Sequence, residues 1–131
     1  MTTRRFDHID LRVKDRAAAK RFYGELLPAL GFTVDSSGEE WCIWQKAGEG
    51  PVEFFGFTEE REHQPNGNRI AFWAENRTDV ERVAEIVRQA GGLNLEGPQL
   101  CREYSPVYYA VFFEDPSGNK LEVCCRQSLV A

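Results

Sequence analysis

One pattern occurs twice in this chain, and an internal duplication confines 131 residues to folds built from two like modules. His8-Ile9-Asp10-Leu11-Arg12-Val13 lies over Arg69-Ile70-Ala71-Phe72-Trp73-Ala74 at an offset of 61. The same offset sets Asp15 on Asn76, Arg16 on Arg77, Arg21 on Arg82, and Ala29-Leu30-Gly31-Phe32 on Ala90-Gly91-Gly92-Leu93. Further along, an offset of 69 lays Val52-Glu53-Phe54 over Leu121-Glu122-Val123. On this alignment His8, Glu53, Arg69 and Glu122 occupy matching places around a pseudo-twofold axis. Three of them are metal-ligand types and the fourth is a cation.

The periodicity of each copy gives its elements. Ile9, Leu11 and Val13 alternate with His8, Asp10 and Arg12, which predicts a strand with one apolar face. Asp15 then caps a helix whose Ala18, Phe22 and Leu26 share a side, and Pro28 with Gly31 ends it. Strands follow over 32–35, 41–46 and 51–57. The charged and then Pro/Asn/Gly-rich stretch 58–67 reads as a linker. The order then repeats. A strand covers 69–74, and a helix opening near Asn76 or Thr78 puts Val80, Val83, Ala84 and Val87 on one side. Three strands follow, the last two being 108–114 and 120–125 around the turn Asp115-Pro116-Ser117-Gly118-Asn119. The chain is therefore expected to be α+β: one domain over 1–131, with module 1 at 6–57 and module 2 at 68–126, each strand–helix–three strands.

Alternation also assigns faces. With helices on one side of a sheet, the other side is left for a ligand. Arg69, Ala71 and Trp73 fall there, as do Lys120, Glu122 and Cys124. Glu53 and Phe55 are placed there in the fourth strand, and Tyr109 stands for the seventh, where only one of Tyr108 and Tyr109 faces outward. Aromatic residues beside ionisable ones suit a small organic molecule. The expected ligand contacts are Arg69, Trp73, Phe55, Tyr109 and Cys124.

Composition narrows the partners. A net charge of −5 leaves no basic footprint for nucleic acid. No apolar run approaches the length of a membrane span, and the start MTTRRFDH lacks the apolar segment of a secretion signal. Four cysteines without a C-x-x-C pair are expected to be reduced thiols in a cytoplasmic protein. No G-x-G-x-x-G or Walker pattern cradles a phosphate.

The segments FDHIDLRVKDRAAAKRFYGELLPALGF, RIAFWAENRTDVERVAEIVRQAGG and YYAVFFEDPSGNKLEV resemble the vicinal oxygen chelate superfamily, also called the glyoxalase/bleomycin-resistance/dioxygenase superfamily. The closing strand–DPxGN–strand, with Glu122 three residues after Asn119, is the most specific mark. The resemblance implies two βαβββ modules forming an eight-stranded cup with helices outside. It also implies a homodimer and a divalent metal (Zn, Mn, Ni or Fe) held from the first, fourth, fifth and eighth strands. Those positions would be His8, Glu53, Arg69 and Glu122.

Two functions fit this set. With His8, Glu53 and Glu122 on a metal, the protein resembles glyoxalase-type lyases and isomerases. A carboxylate would then move a proton, whereas a metal-free acid/base form of the enzyme would use Glu122 or Glu53 as base and Arg69 to stabilise an oxyanion. An arginine has no lone pair to donate, and beside two carboxylates it forms ion pairs instead. The alternative is a metal-free drug- or metabolite-sequestering protein in which Arg69 replaces the metal within an Arg69–Glu53–Glu122 cluster.

Overall fold

The computed structural model describes residues 4–127 and divides them into two compact units that meet between His63 and Gln64, inside the expected linker. Element order is β1 (His8–Val13), α1 (Arg16–Ala29), β2 (Val34–Asp35), β3 (Trp41–Gln45) and β4 (Phe54–Glu59) in the first unit. The second holds β5 (Arg69–Trp73), α2 (Arg77–Gln89), β6 (Leu93–Leu100), β7 (Tyr109–Glu114) and β8 (Lys120–Cys125). Each unit is one βαβββ module. Among the described residues no helix is long and apolar enough to cross a membrane.

The first sheet runs β1-β4-β3-β2 and the second β5-β8-β7-β6. In both, the strand before the helix pairs in parallel with the last strand of its module, and the remaining pairs are antiparallel. A parallel neighbour requires a crossover, and α1 and α2 supply it.

The helices begin alike because their caps are alike. Asp15 accepts from the Ala18 N–H at 3.1 Å, and Asn76 accepts from the Asp79 N–H at 2.8 Å. Each satisfies an N–H that the first helical turn leaves without a partner. Pro28 does not end α1 but lies within its last turn. The chain leaves both helices through glycine at positive φ, Gly31 at 98° and Gly91 at 91°, a conformation a Cβ would strain.

The two cores match in position and differ in residue type. In the first unit Tyr23 of α1 is fully buried, with its ring 5.2 Å from Phe55 and 4.9 Å from Phe57. In the second, Val80, Val83, Ala84 and Val87 of α2 are buried, as are Val111, Phe113, Leu121 and Val123 of the sheet. The β7–β8 hairpin is held by Asp115, fully buried, whose Oδ1 accepts from the Ser117 and Asn119 N–H groups at 2.8 and 3.0 Å.

Two expected strand boundaries move. β4 runs 54–59 rather than 51–57, and β6 is one eight-residue strand with register shifts rather than a short strand and an irregular stretch. The pairing of β4 with β1 and β3 turns Phe55 and Phe57 toward the helix.

Candidate ligand-binding faces

Strand register defines the face of each sheet turned away from its helix. In the first unit His8 pairs with Phe54, Asp10 with Gly56 and Arg12 with Thr58, while Ile43 opposes Gly56 and Trp41 opposes Thr58. These residues share the open face. In the second unit Arg69 pairs with Lys120, Ala71 with Glu122 and Trp73 with Cys124; across the sheet Phe112 opposes Glu122 and Ala110 opposes Cys124. Arg69, Trp73, Glu122 and Cys124 thus lie on one open face, as alternation predicts.

This register corrects the second half of the repeat. β1 and β5 correspond at the offset of 61, so His8↔Phe54 matches Arg69↔Lys120 and Asp10↔Gly56 matches Ala71↔Glu122. The counterpart of Glu122 is therefore Gly56. Glu53 lies outside β4, with Nη1 of Arg4 3.0 Å from its Oε2 and Nζ of Lys46 3.1 Å from its Oε1. Hydrogen bonds from Lys46 first, and from Arg4, hold its carboxyl below the usual glutamate range.

Phe55, expected to touch a ligand, is 1% exposed and packs on Tyr23 instead. Trp44 likewise faces the helix, its ring 4.0 Å from where a Cβ on Gly24 would stand. The residues missed on this face are Phe54 and Gly56. The correspondence of Phe55 with Leu121 and of Phe57 with Val123, core residue on core residue, was the signal for the true offset.

Tyr109 requires the same correction. It opposes Cys125 on the helix side, beneath the guanidinium of Arg77 at 4.7 Å from the ring centre. Tyr108 is the phenol of the open side, and it donates a hydrogen bond to Oε2 of Glu122. Hairpin length carried this signal, because closing Glu114 on Lys120 puts Phe112 beside Glu122 and every even-numbered residue of β7 on its face.

Around Glu122 the second unit is protein-lined and polar at once. Glu122 is 5% exposed, a burial a carboxylate tolerates when a donor meets it. Burial, followed by hydrogen bonding to Cys124 and Glu122, raises the Tyr108 pKa and keeps the phenol protonated as the donor. The Cys124 thiol is also raised, chiefly by burial and further by the Glu122 charge, which makes it a poor nucleophile. Cys101, packed with Ala110 and Cys124, is raised by burial and by the charges of Glu103 and Glu122. Arg69 lies with its guanidinium 4.9 Å from the ring centre of Phe112. Within its own unit each group has a partner: Glu53 is met by Arg4 and Lys46, Glu122 by Tyr108, and Arg69 lies on the Phe112 ring.

A divalent metal does not fit these side chains as the resemblance implied. Of the four corresponding positions only His8 and Glu122 carry a donor, the others being Gly56 and Arg69. His8 has its Nδ1 2.7 Å from Oδ2 of Asp7 and its ring stacked on Phe54. Among the described residues no three His, Cys, Asp or Glu side chains come together to hold a metal ion.

Two sequential βαβββ modules with equivalent parallel pairings define a paired-module α+β protein. The chain belongs to the Glyoxalase/Bleomycin resistance protein/Dioxygenase superfamily, whose profile matches residues 5–123. It is similar to the protein YqjT of Bacillus subtilis (strain 168), 30% identical over 121 residues, which cover 88% of this chain and 94% of that one. Among solved structures it is similar to a glyoxalase/bleomycin resistance protein from Albidiferax ferrireducens T118, with TM-score 0.74 and 26% identity over 93% of this chain and 98% of the other. It also resembles the fosfomycin resistance protein FosX from Listeria monocytogenes, with TM-score 0.71 over 98% and 97% of the two chains. At 16% identity that likeness concerns the fold alone.

Proposed function

We propose that this protein binds a small organic molecule on the open faces of its sheets without a metal ion at the family position. The observation that carries this reading is the pairing of Asp10 with Gly56 where the second module pairs Ala71 with Glu122. A glycine supplies no ligand atom, and the arginine at the fifth-strand position can only repel a divalent cation. What the faces do offer is exposed aromatic surface, with Trp41 47% and Trp73 60% accessible, beside a few polar groups. Pockets for organic ligands are built in this way.

Turnover of the bound molecule is the finer form of the same reading. Glu122, with one oxygen already held by Tyr108, is the candidate proton acceptor, and Arg69 is the candidate partner for a developing oxyanion. Glu53, fixed between Arg4 and Lys46, has no part in it.

The test is elemental analysis of protein purified without chelators, followed by a thermal-shift screen of small organic compounds on the EDTA-treated protein. Substoichiometric metal together with compounds that raise the Tm is expected, and chromatography of the mixtures reads any turnover. A stoichiometric metal that is lost on His8→Ala would overturn the proposal.

A further inference from the structure

The stretch that leads into the second module holds a reactive pair of residues that neither sheet uses. Asn66 is followed by Gly67, the one place in the sequence where glycine follows asparagine. Both are exposed and belong to neither helix nor strand. On one side Pro65 packs on the β7–β8 turn, where a Cβ added to Gly118 would lie 3.1 Å from its Cγ. On the other side Arg69 opens β5. Between these anchors Oδ1 of Asn66 accepts from the Asn68 N–H at 2.8 Å, which makes an Asx turn.

The turn favours attack on its own side chain. Its hydrogen bond closes a ring that contains both Cγ of Asn66 and the backbone N of Gly67. When Cγ is attacked, negative charge collects on Oδ1, and the Asn68 N–H already stands where an oxyanion-stabilising donor must stand. Gly67 has no Cβ to shield its N, and its backbone is free to turn that atom toward Cγ. Among the described residues the Gly67 N–H has no hydrogen-bond partner. The other asparagines are held. Asn76 caps α2 and Asn94 donates to Glu114 from within β6, while Asn119 gives its N–H and its Nδ2 to Asp115. Asn68 is followed by Arg69 of β5. In each of these the next residue carries a side chain and lies in a helix or strand that fixes its backbone.

We propose that Asn66 is a site of spontaneous deamidation, in which its carboxamide becomes a carboxylate without an enzyme. The N of Gly67 gives its proton to solvent base and bonds to Cγ of Asn66. The Cγ–Nδ2 bond then breaks, and Nδ2 takes up a proton and leaves as ammonia. Water opens the resulting cyclic imide at either carbonyl, so the reaction as a whole consumes water and releases ammonia with no change of oxidation state. One product is aspartate at position 66; the other is isoaspartate, whose main chain runs through Cβ and Cγ. A neutral amide has become a carboxylate, so the net charge goes from −5 to −6. Aspartate keeps an oxygen for the Asn68 N–H, whereas isoaspartate adds a methylene to the main chain between the Pro65 contact and β5.

Incubation of the whole protein in mildly alkaline buffer, followed by anion-exchange chromatography and mass-spectrometric peptide mapping, tests it. A more acidic form is expected to accumulate, with the change at position 66 and an equivalent amount of ammonia released. Its rate should rise with pH, because the attacking N must lose a proton. Methyl transfer from S-adenosylmethionine by an isoaspartyl methyltransferase, used as a reagent, reads the isoaspartate separately. Asn66→Gln and Gly67→Ala are expected to lose most of the acidic form. Gly67→Ala keeps the fold, since the backbone there is not left-handed and a Cβ meets nothing within 4 Å; circular dichroism checks this. Gly67→Ala that deamidates as fast as the parent overturns the proposal. So does a change that maps to Asn68, Asn76, Asn94 or Asn119 ahead of position 66. A folded parent that gains no acidic form in the time the urea-unfolded chain gains one overturns it as well.

Discussion

The two modules share connectivity, capping and parallel pairing, yet their open faces carry different chemistry. The first presents a stacked His8–Phe54 pair, a tryptophan and a glycine around a small cavity. The second presents a buried carboxylate tied to a phenol, two thiols of raised pKa and an arginine lying on a ring. Duplication preserved what the core needs, because every helix-facing position must bury apolar surface to hold its module together. It left the open faces free to diverge, since an outward residue is constrained by what it binds rather than by its own sheet. The lesson is that correspondence between the modules is reliable for the helix face and has to be earned position by position on the other.

The largest expected effect tests the helix face. Phe55→Ala removes a ring buried against Tyr23, and such truncations cost about 3–5 kcal/mol through lost transfer energy and the cavity left behind. Urea unfolding measures it. A loss below about 1 kcal/mol would mean that Phe55 stands on the open side after all, and the offset of 66 between β4 and β8 would fall with it.

A smaller effect separates the two open faces. Tyr108→Phe keeps the ring but withdraws the hydroxyl that meets Glu122, leaving a buried carboxylate oxygen unmet at a cost of about 1–3 kcal/mol. The double variant with Glu122→Leu should recover part of that loss, because both polar partners are then gone. Tyr108→Phe with unchanged unfolding free energy would show that the pair contributes nothing to the second module.

The smallest concerns Glu53, whose place on the surface sets it apart from Glu122. Glu53→Gln should cost no more than about 0–1 kcal/mol at neutral pH, the range of exposed ion pairs. Because the folded-state pKa of Glu53 is lowered, its contribution is present above the ordinary value of 4.5 and is lost as pH falls through the lowered value. The gap between parent and variant should therefore close in acid. Unfolding curves at pH 7 and at successively lower pH read this, and a gap that widens as pH falls contradicts the assigned pairing.

Much of this architecture was legible in the chain itself. Alternation in 8–13 and 69–74, the Asp15 cap, a helix start at Asn76 or Thr78, and the helical spacing of Val80, Val83, Ala84 and Val87 each specify an element locally; the elements are found, with Asn76 as the cap and the fifth strand ending at Trp73. The β4 faces were not legible, because Val52, Phe54, Phe55 and Phe57 put apolar side chains on both parities and alternation cannot choose between them. Glutamate stands at both 53 and 122, so a match on residue type gives an offset of 69 where the strand pairing gives 66. The choice between Tyr108 and Tyr109 had the same origin, two identical side chains of opposite parity.

What the sequence determined by itself was the pair of βαβββ modules, since helix caps, turn residues and apolar periods act over a few neighbours and are written wherever those neighbours stand. What only the tertiary structure decided was the content of the open faces. Pairing of β1 with β4 placed Phe54 beside His8 and Gly56 beside Asp10, and it sent Glu53 outside the strand to Arg4 and Lys46. A strand's side chains alternate with a period of two, so a register set by a partner 46 residues away reverses every face at a single step.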